Sequence, residues 1–486
     1  RRLPHRVGPD QRSRGHGQRV GNDVSKFEIE GIGSIDPRHT NGDDRRHVGR
    51  EVRKLVPRKA LGEWVAPADR PDLVDLLEEQ NASRLPDLVP IRYGRMMHSP
   101  FTYLRGSPLI MANDLASCPT TPLRTQLCGD AHLLNFGSFG TAERNLVFDL
   151  NDFDETLPGP FEWDVKRLVT SVVIAARSTG KSEDVGREAA RAAARSYREH
   201  INHLATAGVL DIWYERYDAN TTFELAYADV EDRPGLEKML SKARHRTSAQ
   251  AFAKLTEVVD GRLQFRSDPP LLQPLDPEIS KLLGEGLDRA VQNLSPEYHQ
   301  LAERYRVVAT ARKVVGVGSV GTRCMVAVAV GRDFDDVLML QIKEAQQSVL
   351  APYAGETTFP SNGERVVVGQ RLMQAASDPF LCWADAPLLE TSFYVRQLRD
   401  MKGSADIDTM RPSSLLPYAE VCGKVMASAH ARAVPPTPIS GYLGSSDSFD
   451  RAMEQFAVAY SDQTEADHAH LVDAVRSGRI SALEDV

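Results

Sequence analysis

The chain has 486 residues, of which 41% are hydrophobic, enough for a large core and too many for global disorder. Its net charge of −8 supplies no overall positive field for nucleic acid. Five cysteines with no Cys-x-x-Cys pair argue against a zinc ribbon or a disulfide framework and suit a reducing compartment.

Residues 1–47 are rich in Arg, Gly, His and Asp and read as a disordered tail without an apolar signal-peptide core. No later run approaches the roughly 18–20 apolar residues of a membrane helix, so the expectation is a soluble, cytoplasmic protein with no membrane partner. Residues 52–95 read as helical. Leu73, Val74, Leu76 and Leu77 form an apolar stripe, and Pro71 suits a helix start. Residues 99–106 read as an extended entry to a polar region flanked by strands at 125–128 and 145–150. The breaker at 158–160 opens a helix over 161–176, and an Ala/Arg-rich helix follows over 183–207. Residues 208–300 are mixed and helical in patches. Residues 306–345 change character to three strands with a glycine turn. A helix over 365–375, strands near 380–384 and 392–398, and helices over 414–433 and 449–476 close the chain.

Two polar segments stand out among the apolar strands. They are Cys128-Gly129-Asp130-Ala131-His132-Leu133-Leu134-Asn135 and Asp149-Leu150-Asn151-Asp152-Phe153-Asp154. One Asp that orients a hydroxyl, with an Asn and a second Asp that hold magnesium, is what phosphoryl transfer requires. Asp130 fits the first role, as catalytic base or orienting group, although a turn Asp bonding its local backbone has the same look. His132 fits either a contact to the transferred group or a structural histidine. Asn135, Asp152 and Asp154 fit a divalent-cation site, since magnesium takes one or two carboxylates plus phosphate oxygens. The acids from Asp149 to Glu155 also suit a solvated turn, and the EF-hand pattern fails because Phe153 occupies its fifth position.

Gly316, Gly318, Ser319 and Gly321 lie in a Gly-x-Gly-x-x-Gly stretch followed by a β-like run rather than a helix. That context suits a loop covering phosphates, and it also suits an ordinary hairpin. Lys343 ends the apolar run 338–342 and fits a phosphate-gripping lysine or an edge-strand lysine. Glu344 and Glu364 are the candidate acids to hold it. Asp164, near a helix start, fits a buried brace beneath the Asp130 loop.

These residues resemble the protein-kinase-like superfamily, especially aminoglycoside and choline phosphotransferases. That family's catalytic loop has the pattern of Asp130, His132 and Asn135, its metal strand that of Asp152-Phe153-Asp154, and its next helix the buried acid at Asp164. More closely, residues 48–480 look like the bacterial family catalogued as domain of unknown function 2252, through the stretches 99–106, 128–137, 147–155, 159–168, 313–323 and 369–378. The resemblance implies an α+β, kinase-like two-lobe fold. Because the glycine loop and Lys343 follow Asp130 instead of preceding it, either the fold is circularly permuted or the glycine motif is a coincidence, and the kept order of elements over 306–432 favours permutation. The implied parts are a catalytic-loop lobe over 48–305 with a helical insertion at about 208–300, a β-rich glycine-loop lobe over 306–402, and C-terminal helices over 403–486. The implied function is an ATP- and magnesium-dependent phosphotransferase acting on a small-molecule or protein hydroxyl. AMP transfer from the same site and non-catalytic nucleotide sensing are the alternatives. A metallophosphoesterase is set aside, because its further Gly-Asp and Gly-Asn-His motifs do not occur. Neither the acceptor nor the oligomeric state is legible.

Overall fold

The computed structural model describes residues 27–29, 33–35, 40–227, 233–398 and 400–484. Most of the tail expected over 1–47 lies outside the described residues. Its last part does not: Gly42–Leu55 is a helix, capped by the Asn41 side chain on the Asp44 amide at 2.9 Å. The chain is mixed α+β.

Six antiparallel strands form the main sheet, in the spatial order Cys382–Ala386, Thr391–Gln397, Val337–Ala345, Cys324–Val330, Arg306–Lys313, Leu272–Pro274. β-Branched and other apolar residues dominate its central strands, and Val326, Ala327, Val328 and Met339 are fully buried. The sheet has helices against it: Ser248–Leu255 packs on the strand Val337–Ala345, and Pro277–Val291 on Cys382–Ala386. The boundary expected at 306 is therefore too late, since residues 208–300 supply the edge strand Leu272–Pro274 and two covering helices. A short, proline-flanked edge strand gives little periodic signal.

The other half is built on long helices. Phe161–Ser178, Glu183–Leu204, Pro412–Ala433 and Ser448–Arg476 bury a common core with Thr437–Leu443. Glu183–Leu204 lies against Pro412–Ala433 through small residues. A β-carbon on Gly423 would sit 2.2 Å from the Ala193 carbonyl oxygen, so only glycine permits this approach. Two further pieces of sheet carry the polar segments onto this body. Phe136–Gly140 pairs with Leu146–Leu150, and Arg124–Leu127 pairs with Leu157–Pro160.

One sequence expectation is corrected next to the site. Residues 99–106 are not extended: Pro100–Gly106 is a helix with a capping box, in which the Ser99 hydroxyl accepts from the Thr102 amide at 3.1 Å and the Thr102 hydroxyl from the Ser99 amide at 2.9 Å. Ser, then Pro at the first helical position, then Thr is a helix-start pattern that outweighs the β-propensity of the aromatic residues after it. The strands Phe136–Gly140 and Leu157–Pro160 were not expected, because Gly and Pro mask their pattern.

Candidate functional site

Asp130 sits where the strand Arg124–Leu127 leaves its sheet. Gly129 makes the turn with φ of +88°, and a β-carbon there would lie 2.3 Å from the Glu155 carbonyl oxygen. The loop is hung from below. Asp164, in the first turn of Phe161–Ser178, accepts the Cys128 and Gly129 amides at 2.8 and 3.1 Å. His430 Nε2 lies 3.3 Å from Asp164 Oδ2, and Tyr197 Oη lies 2.9 Å from His430 Nδ1. This fully buried chain of polar groups matches the bracing role expected of Asp164. Its other member, His430, comes from the far end of the sequence.

Arg167, one turn after Asp164, directs its guanidinium at the Asp130 carboxylate with Nε 2.8 Å from Oδ1, and it also donates to the Leu104 carbonyl. Asp130 is thus a held, oriented carboxylate that keeps some exposure to solvent. His132 Nε2 is 3.6 Å from its other oxygen. Burial pushes the His132 pKa down to about 3; Asp130 pulls against this, and Arg105 and Arg167 add to it. The imidazole is neutral at physiological pH and a poor proton carrier, which favours its structural reading.

The second segment alternates with period two. Phe153 is buried at 1% exposure and anchors the turn, while Asp152 and Asp154 on either side point into the cleft. Lys343 meets them both, with Nζ 3.4 Å from Asp152 Oδ1 and 2.5 Å from Asp154 Oδ2. The Tyr394 hydroxyl donates to Asp154 Oδ1 at 2.6 Å, and the Ser319 hydroxyl to Asp154 Oδ2 at 3.3 Å. Arg396 donates to the Asn151 carbonyl at 2.8 Å. Burial alone would raise the Asp152 pKa, but the Lys343 and Arg396 charges hold it below the ordinary value. Burial likewise opposes the Lys343 charge, and the two carboxylates keep it firmly protonated.

Lys343 of the sheet and Ser319 of the glycine turn therefore meet on the acids of the second polar segment. The partner of Lys343 is corrected. Neither Glu344 nor Glu364 holds it. Glu344 follows it on the strand and so faces the opposite side, where it binds the Arg323 amide and guanidinium, both at 2.9 Å. Glu364 opens the helix Asn362–Met373, with its amide capped by the Ser361 hydroxyl at 3.4 Å.

The Asn135 side chain is engaged with backbone. Its amide donates to the carbonyls of Asp130 and Asp152 at 2.9 and 3.0 Å, and its oxygen accepts the Asp152 amide at 2.6 Å. The 3-10 turn Leu133–Asn135 directs this side chain between the two segments, where it fixes their spacing. Among the described residues no three of His, Cys, Asp and Glu gather as a metal site. Asp152 and Asp154 are both partly exposed and shared with Lys343, and two carboxylates are a donor set that suits magnesium held jointly with phosphate oxygens.

The glycine stretch lies over this cleft. It forms the turn Val317–Ser319, and its carbonyls are bound from outside: Val315 by Arg95, Val320 by Arg84 and Gly321 by the Leu85 amide. A small cavity of about 30 Å³, room for ordered water only, adjoins the acids through Asn151 and Arg396, and Gln370, Gln397, Asp400 and Lys402 also line it. Sequence reading missed Arg105, Arg167, Tyr394 and Arg396. Arg167 and Tyr394 stand in apolar surroundings that mark them as notable, yet nothing local names their partners.

The six stretches that carry the resemblance lie on or beside this cleft. The chain belongs to the DUF2252 family. The family model, described as uncharacterized protein conserved in bacteria, matches residues 84–474. The DUF2252 match therefore covers Asp130, Asp152, Asp164, the glycine stretch, Lys343 and His430 together. No curated protein and no solved structure matches the chain.

Proposed function

We propose that the chain is an ATP- and magnesium-dependent phosphotransferase with a kinase-like arrangement in circularly permuted order. The observation that carries the reading is the Lys343 contact to Asp152 and Asp154. A lysine on the sheet and the acids beside Asp130 share one cleft, as phosphate binding and metal binding must. Ser319 of the glycine stretch reaches the same acid.

Asp130, oriented by Arg167, accepts the acceptor hydroxyl's hydrogen bond and takes its proton. The hydroxyl oxygen bonds to the γ-phosphorus, and the bond from that phosphorus to the bridging oxygen breaks, with its electron pair leaving on ADP. Asp152 and Asp154 would hold magnesium, which neutralises phosphate charge when bound. Lys343 is buried and permanently charged, and it supplies a fixed positive group at the same place. No helix among the described residues is long and apolar enough to cross a membrane.

The test is ATP turnover by the wild type, Asp152→Asn and Lys343→Ala. Removing either group should lower turnover by roughly 10²–10³-fold, as for other preorganised electrostatic groups. Equal turnover in all three proteins would refute the assignment. Product mass separates phosphoryl from AMP transfer, and binding without turnover would identify a nucleotide sensor.

A further inference from the structure

Arg105 is the one arginine at the cleft with nothing to hold. Its neighbours are committed: Arg84 and Arg95 to glycine-stretch carbonyls, Arg167 to Asp130, and Arg396 to the Asn151 carbonyl. Arg105 forms no hydrogen bond and no ion pair with any described residue, and its Nε is buried without a partner. A half-buried guanidinium whose Nε has no partner is unfavourable until an anion meets it, so the site suits an anion.

Its position says which anion. Arg105 ends the helix Pro100–Gly106, which packs against the turn Val317–Ser319. One guanidinium nitrogen, Nη2, lies 3.9 Å from where a β-carbon on Gly316 would be, and the Arg105 carbonyl lies 3.4 Å from the corresponding point on Gly318. Asp130 and Asp152 are the carboxylates that act on its charge, yet both stay beyond the 4.0 Å of an ion pair. The guanidinium therefore lies beside the glycine stretch and within electrostatic reach of Asp130 and Asp152. Burial pushes its pKa below the ordinary arginine value, against the pull of Asp130 and Asp152.

We propose that Arg105 grips the terminal phosphoryl group of the bound nucleotide. The inference rests on the phosphotransferase reading above and assigns a contact to a side chain outside the Asp130, Asp152 and Lys343 set. A planar guanidinium suits a phosphoryl group because two of its N–H bonds can meet two oxygens.

The test compares the wild type, Arg105→Gln and Arg105→Lys by calorimetric titration with ATP, with ADP, and with inorganic tripolyphosphate, each with magnesium. The expected result is a roughly 10–100-fold loss of ATP affinity in Arg105→Gln with less than about a twofold change for ADP, since one charged hydrogen-bonded contact is worth about 1.5–3 kcal/mol. Arg105→Lys should recover part of the difference. Thermal melting of both variants should match the wild type, because no internal partner is lost. Equal losses for ATP and ADP, or a wild type that binds ATP no more tightly than ADP, would overturn the proposal. Tripolyphosphate binding that weakens in Arg105→Gln, with neither nucleotide bound, would uphold the arginine's role and remove the nucleotide reading. A wild type that binds none of the three overturns both.

Discussion

Buried charge is the recurring feature at the scale of single residues. Glu162 is fully buried and accepts the Thr121 amide and hydroxyl at 2.5 and 2.8 Å. Burial pushes its pKa up to about 7 from the ordinary 4.5, against the pull of Thr121 and the Lys166 charge. Below pH 4.5 the carboxyl is protonated in folded and unfolded chains alike. Between 4.5 and about 7 the unfolded chain ionises first, so stability falls as pH rises through that window and levels off above it. The loss from this one group is on the order of 3 kcal/mol. Urea unfolding of the wild type and Glu162→Gln at pH 5 and pH 8 checks it: the stability difference between the two proteins should move in favour of the variant at the higher pH. Asp164, two residues on, accepts two backbone amides. One helix turn thus carries an acid that holds a loop and an acid that resists its own charge.

The decisive elements are those that approach closely. Glu183–Leu204 and Pro412–Ala433 form a helix pair whose separation is set by Gly423 against the Ala193 carbonyl. Gly423→Ala would force the helices apart and, through His430 on the second helix, shift the support under Asp164. The expected cost is about 1–3 kcal/mol, the usual range for overpacking, read from the denaturation midpoint. Turnover should fall beyond what lost stability explains, since the Asp130 loop hangs from that support. Elements with plain periodicity were legible in the sequence: the helices Phe161–Ser178 and Ser448–Arg476 and the strands Cys324–Val330 and Val337–Ala345 lie within a few residues of their expected places. Pro100–Gly106 was misread, because its aromatic and β-branched residues favour strands while its cap favours a helix, and the cap prevailed.

Across the whole molecule, distant segments close on one another. Arg70 donates to Asp114 twice at 2.8 Å and to Asp467 at 2.7 and 2.6 Å, and the Tyr460 hydroxyl also donates to Asp114 at 2.7 Å. This arginine fastens an early segment to the long C-terminal helix across almost the full sequence. Arg70→Ala would leave two buried carboxylates facing each other and should cost about 3–5 kcal/mol, the range for breaking a buried pair, as a lower urea midpoint. Joint replacement of Asp114 and Asp467 by Asn in that background should restore part of the loss, which a purely packing role for Arg70 would not allow.

The sequence by itself determined the chemistry available to this protein. The acids, the amide and the glycines sit in short segments whose spacing is local, and period-two alternation alone places Asp152 and Asp154 together on either side of buried Phe153. Only the tertiary structure decided the pairings. Whether Lys343 meets Glu344, Glu364 or the acids beside Asp130 depends on how a sheet late in the chain packs on a loop early in it, and strand periodicity gives a side chain's face but not what lies opposite. The same limit applies to Asn135, whose side chain is drawn inward by two backbone segments that meet only in the fold, and to Arg105, whose lack of a partner is a property of its surroundings alone.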